Sequence, residues 1–303
     1  MSDHPPPPPD TGEDGSATPT AARGQRKSGK AILKSAVLGP LAHVDWVRWG
    51  VAPSIVAFAL LTQVGAVAWP IAGLIAGRRH WLRAMAWSAV AYVVLSVAVV
   101  PFAARALGRV QLPCYSEFLV ARNPLYCALN RNWVTPELRS TIVEISTLVA
   151  AEHPGTVVSY LDGGFPFAGT PLLPHLSHGD GNKLDLAFFY VDRENQPVYQ
   201  GGCAIGYFGY TQPAAGVEPA CPVRWYDLRW DMNALQIWLS PHGLDDARTR
   251  TLVAASLEHP AIGKVLLEPH LQRRLQLESD KLRFQGCRAA RHDDHVHIQL
   301  VSR

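Results

Sequence analysis

Two short segments gather histidines at spacings that suit metal chemistry. The first runs His175-Leu-Ser-His178-Gly-Asp-Gly-Asn-Lys-Leu-Asp185 and leads into the apolar run LAFFY. The second is His292-Asp-Asp-His295-Val-His297, leading into IQLV. On a strand, side chains two apart share a face, so His295 and His297 point the same way. Gly181 permits a turn that brings His178 and Asp185 to one centre. Two imidazoles and a carboxylate form a common zinc set, and a fourth position left to water makes such a site catalytic rather than structural. Zinc held this way lowers the pKa of its water to about 7 and polarises a carbonyl. A neighbouring base must still carry the proton to a leaving amine, and a histidine on the face of a ligand histidine suits that task. Either cluster alone has a bland reading as loop histidines or a chance H-x-H. Two clusters, each at the mouth of an apolar strand, point to a metal site.

The flanking sequence supplies the elements that must position these groups. Thr135 to Ala151 reads as a helix with Pro136 near its start and Leu138, Ile142, Ile145 and Leu148 on one face. Tyr226–Leu239 and Asp245–Leu257 also read as helices. Thr156–Leu161, Leu184–Val191, Lys264–Leu267 and Val296–Val301 read as strands. Helices and strands mix without a βαβ rhythm, so the expected class is α+β. The aromatic run Trp225, Tyr226, Trp230 and Trp238 reads as a buried helix face, with a glycan groove as the alternative.

Net charge is only +3 over 303 residues, which excludes the broad basic field that nucleic-acid binding needs. Hydrophobic residues make up 48% and charged residues 17%, and the apolar excess is concentrated between Gly50 and Ala104. Three regions follow. Residues 1–45 are a proline-rich, then basic tail. Residues 46–107 form a membrane region with apolar segments at 50–77 and 84–104. Residues 108–303 have the composition of a globular domain. The 84–104 segment is uncharged and of spanning length, with Trp81 and Trp87 at its start as interfacial anchors. The 50–77 segment contains Pro53, Gln63 and Pro70 and reads as broken or re-entrant. The basic stretch Arg78 to Arg83 belongs in the cytoplasm, which places everything after Ala104 outside the cell membrane, on the periplasmic or extracellular side. All five cysteines lie in that exterior part, where disulfides are permitted. The local pairs Cys114–Cys127 and Cys203–Cys221 are the simplest, leaving Cys287 over.

The arrangement H-x-x-H-x-x-G-x-x-x-D, followed far downstream by H-x-x-H-x-H, resembles the penicillin-insensitive murein endopeptidases. That group also contains D-Ala-D-Ala carboxypeptidases, D,D-dipeptidases and the hedgehog domain. The similarity extends to Tyr160-Leu-Asp-Gly-Gly-Phe-Pro-Phe and to the stretch from Ile262 to Leu275, covering about residues 155 to 303. The resemblance implies a small antiparallel sheet with flanking helices, here preceded by transmembrane helices. It implies Zn2+ bound by His178, Asp185 and His297. His295 would be the acid/base or transition-state stabiliser, with His175 and His292 close around the metal. Lys183 departs from the pattern, standing where those enzymes tend to carry an acidic residue. The expected activity is hydrolysis of an amide bond in peptidoglycan stem peptides or cross-links by a membrane-anchored enzyme. A carboxypeptidase or dipeptidase of the same group is the nearest rival. A non-catalytic, zinc-stabilised wall-binding or signalling module is the rival from another class.

Overall fold

A computed structural model describes residues 51–76, 81–169, 176–199, 203–218, 220–222 and 242–302, together with Leu172 and Leu239. Residues 50–303 cluster as one compact unit. The N-terminal tail, the basic stretch 78–80, His175 and the aromatic run at 225–238 lie outside the described residues.

The chain contributes eleven short strands among the described residues. They are β1 (Val110–Gln111), β2 (Leu119–Ala121), β3 (Trp133–Val134), β4 (Val158–Tyr160), β5 (Lys183–Ala187), β6 (Tyr190–Val191), β7 (Pro197–Val198), β8 (Gly243–Leu244), β9 (Ile262–Leu266), β10 (Leu282–Arg283) and β11 (His295–Leu300). Six build the main sheet in the order β10-β9-β11-β5-β4-β2. Its centre is antiparallel, as expected, but both outermost pairings, β10 with β9 and β2 with β4, are parallel. The sheet is therefore mixed. The expected Leu184–Val191 strand divides between two sheets, because β5 belongs to the main sheet while β6 pairs with β7 and β8.

Two helices back the sheet. Pro136–Glu152 starts where the Thr135 side chain accepts from the Leu138 N–H, with proline in the first turn where no N–H is needed. Its buried stripe is Leu138, Ile142, Ile145 and Val149. Leu148, expected on this face, is exposed. Eleven residues make three turns at the 3.6 period, so position 149 rather than 148 returns to the stripe. Asp246–Glu258 is capped by Asp245, which accepts from the Arg248 N–H. The two helices meet through His153 Nε2 and Thr251 Oγ1 at 2.9 Å, and Thr251 donates to Glu152.

The 50–77 segment forms two short helices, Val51–Thr62 and Gly65–Ala76. They are separated at Gln63, which adopts a φ of 45°. The Gln63 amide exchanges hydrogen bonds of 3.0 Å with both backbone groups of Phe167. The plural transmembrane helices expected from the sequence reduce to one among the described residues. Leu82–Ala106, 25 residues, is the helix long and apolar enough to cross a membrane by length and composition. It contains a π-helical turn at Leu95–Val99. The globular part grips this helix from Tyr92 onward. Tyr92 donates to Ala128 O at 2.7 Å, and the Asn130 amide donates to Tyr92 at 2.9 Å and to Ser96 at 2.8 Å. Val100 and Ala104 pack with Val64 and Trp133.

Two disulfides close, and one differs from the sequence expectation. Cys114–Cys127 is as expected, but Cys221 pairs with Cys287 across 66 residues, leaving Cys203 free. Nearness in sequence suggested Cys203–Cys221, yet the fold returns the segment before β11 to Cys221.

Candidate metal centre

His178 sits in the short 3-10 turn Leu176–Asp180, and several contacts fix that turn. Arg109, just beyond the apolar helix, donates from Nη2 to Gly179 O at 2.7 Å. Gly181 has a φ of +70°, and a Cβ there would lie 1.3 Å from Arg109 Nη1. Only glycine fits that position, on conformation and on space alike. A Cβ at Gly164 would lie 2.8 Å from Trp133 O and 3.0 Å from His178 O, so the Gly-rich segment after β4 is the floor on which the turn rests. His178 Nδ1 donates to Gly163 O at 2.9 Å, which leaves Nε2 facing inward.

Sheet register supplies the other two groups. In the β5–β11 pair Asp185 stands directly opposite His297, and Ala187 opposite His295. Three donor atoms therefore converge. His178 Nε2 lies 3.3 Å from His297 Nδ1 and 3.4 Å from Asp185 Oδ1, and His297 Nδ1 lies 2.8 Å from the same oxygen. All three residues are buried, and the group could hold a metal ion. The hydroxyl of Tyr207 donates to the second carboxylate oxygen, Asp185 Oδ2, at 2.8 Å. Backbone bonds lock Asp185 to its neighbour strand, from Asp185 N to Asp162 O at 3.0 Å and from Leu161 N to Asp185 O at 2.8 Å.

The electrostatics separate the two imidazoles. Burial pushes His297 down to about 4, against the hydrogen bond it makes to Asp185 and the Asp185 charge. Burial also acts to lower His178, but the Asp185 charge and hydrogen bond outweigh it and the net direction is up. His295 is likewise desolvated, yet Asp294 and then Asp185 raise it to about 9.

His295 borders the group without belonging to it. Its Nδ1 is 2.5 Å from Asp294 Oδ1, and its Nε2 is 3.8 Å from Asp185 Oδ1. Asp294 in turn accepts at Oδ2 from the backbone N–H of Phe208 at 2.6 Å. The ring of Tyr207 meets His295 edge-on with centroids 5.0 Å apart. His292 is beside both strand histidines, its ring centroid 4.9 Å from His295 and 5.8 Å from His297. The structure thus brings together His178, Asp185, His292, His295 and His297, while His175 falls outside the described residues. Lys183 bonds Asp180 on the His178 turn, where it closes the loop beside the ligand group.

Sequence reasoning missed three supporting residues. Tyr207 and Arg109 carry no motif, and only the fold brings them to the centre. Arg131 forms a buried two-point pair with Asp162 at 2.6 and 2.7 Å, and Asp162 N donates to the Tyr207 hydroxyl oxygen at 3.2 Å. Asp162 lies within the Gly-rich stretch from Tyr160 to Phe167, which is the signal that could have found the pair.

In comparisons with known proteins, no family model matches the chain and no curated protein matches it.

Proposed function

We propose that the chain is a membrane-anchored zinc metallopeptidase whose exterior domain hydrolyses an amide bond in peptidoglycan stem peptides or cross-links. The observation that carries the reading is the closure of His178, Asp185 and His297, whose donor atoms lie 3.3, 3.4 and 2.8 Å from one another. For zinc bonds of about 2.0–2.1 Å at tetrahedral angles, neighbouring donors stand about 3.3 Å apart. The donor set itself, two imidazoles and a carboxylate, leaves a position for substrate or water. His178 and Asp185 are each held from behind, by Gly163 O and Tyr207, as metal ligands commonly are.

His295 is the group placed to move protons. Asp294 fixes its Nδ1 and keeps the ring protonated, so Nε2 would hold the oxyanion of a tetrahedral intermediate and give its proton to the leaving nitrogen. Tyr207 and the Asp162–Arg131 pair keep the Asp185 carboxylate from turning away.

The wall as substrate rests on the resemblance of the paired histidine motifs. The membrane anchor is assigned to Leu82–Ala106. Alkaline phosphatase fused after Arg303 tests the orientation, and a stable but inactive fusion reverses it.

Incubating the full chain in detergent with purified peptidoglycan, followed by mass analysis of the products, tests the activity. The expected result is release of new amine and carboxyl ends that chelation abolishes and added zinc restores. Zinc-loaded protein that releases nothing returns the centre to a structural role.

A further inference from the structure

A pocket of about 220 Å³ opens beside β4 and β5 and shares no residue with the candidate metal-binding group. Arg122, Thr156, Ser159, Phe189, Tyr199 and Arg248 are among its lining residues. Its two arginines differ in kind. Arg248 is satisfied: Nε donates to Asp245 at 2.7 Å, Nη2 donates to Tyr190 O at 3.1 Å, and the guanidinium lies over the Phe189 ring. Arg122 is 6% exposed and has no carboxylate partner among the described residues. Its Nη1 donates to Tyr199 O and its charge lies 5.0 Å from the Tyr199 ring centroid, but Nη2 has no hydrogen-bond partner. The groups that act on its charge are Tyr199, Tyr190, Tyr126 and Cys203, none of them a carboxylate.

Burying a guanidinium without a counter-ion is costly, and an anion entering the pocket removes that cost. We propose that this pocket binds a small aliphatic monocarboxylate of the size of a free amino acid, its carboxylate on Arg122 and its apolar body against Phe189 and Val198. One uncompensated positive charge calls for one negative charge, which favours a carboxylate over a phosphate dianion. Ser159 and Thr156, whose side chains carry hydroxyl donors, line the same space. The volume matches about seven water-sized atoms at roughly 30 Å³ each.

The full chain in detergent is titrated with butyrate, with neutral butyramide and with inorganic phosphate at constant ionic strength, and the melting temperature is followed. Butyrate should raise it saturably, and butyramide should not. Arg122→Gln should weaken butyrate binding by about tenfold or more, the loss of a charge-assisted contact, while zinc content stays unchanged. Val198→Trp fills the pocket from its half-exposed wall with Arg122 intact, and should also abolish the shift, which guards against an Arg122 variant that fails to fold. Equal responses to butyrate and butyramide overturn the proposal. So does undiminished butyrate binding in either variant, and so does phosphate binding as tight as butyrate.

Discussion

His297 faces Asp185 across the β5–β11 pair with Nδ1 2.8 Å from Oδ1, and the candidate metal-binding group is built outward from that contact. A one-residue slip of this register would put the two side chains on opposite faces of the sheet and break the contact. The pairing of flanking apolar residues, Val296 with Leu186 and Ile298 with Leu184, holds the register because all four are buried.

Replacing a ligand should remove the metal. His178→Ala, Asp185→Ala and His297→Ala are each expected to lose zinc by elemental analysis, while His259→Ala, at a helix end beside Glu144, keeps it. Full zinc occupancy in the Asp185 or His297 variant would overturn the assignment.

His295→Ala separates turnover from binding. It should keep zinc and fold while losing roughly a hundred- to ten-thousand-fold in hydrolysis rate, the usual contribution of a general acid/base. His295→Gln should retain a residue of activity through hydrogen bonding. Loss of metal in His295→Ala would exchange the roles of ligand and catalyst.

Tyr207→Phe deletes one hydroxyl, whose hydrogen bond goes to Asp185 Oδ2. Outer partners of this kind are worth about 10- to 100-fold in metal affinity, so zinc should bind more weakly by that factor. Competition with a chelator measures the change, and an unaltered affinity would make Tyr207 a packing residue only.

Peptide mapping of unreduced protein should recover Cys114 linked to Cys127 and Cys221 linked to Cys287, with Cys203 open to alkylation. Closing 66 residues confers about 4 kcal/mol in the chain-entropy model, against about 3 kcal/mol for the 13-residue loop. Cys287→Ser should therefore destabilise the domain at least as much as Cys127→Ser does, as read by denaturant unfolding.

His270 gives a pH dependence with a definite sign. Burial lowers its pKa from 6.5; Arg291 and Arg273 act in the same direction, while the bond to Thr211 O and the nearby Glu268 oppose them. Asp293 Oδ2, at 4.0 Å, also faces the ring. With the folded value below the unfolded one, the unfolded chain binds the extra proton. The contribution is fully present above about pH 6.5 and is lost as the pH falls through the folded value. His270→Gln keeps a donor for Thr211 and cannot titrate. Its melting temperature should fall less than that of the wild type between pH 7 and pH 5, and parallel curves would remove His270 from the account.

The group of His178, Asp185 and His297 that could hold a metal ion is legible in the amino-acid sequence because its chemistry is written in residue type and local spacing. H-x-H on a strand needs only the two-residue period to place both rings on one face. A histidine turn with Gly181 needs only that glycine's freedom. The same local physics marks the helices, since capping and apolar periodicity act within a few residues. Contacts between distant segments have no such local signature. Tyr207 reaches Asp185, Arg109 clamps the His178 turn and Cys221 finds Cys287 only once the sheet has assembled. Sequence separation says nothing about which loops will meet; burial of the strands around His297 and Asp185 decides it.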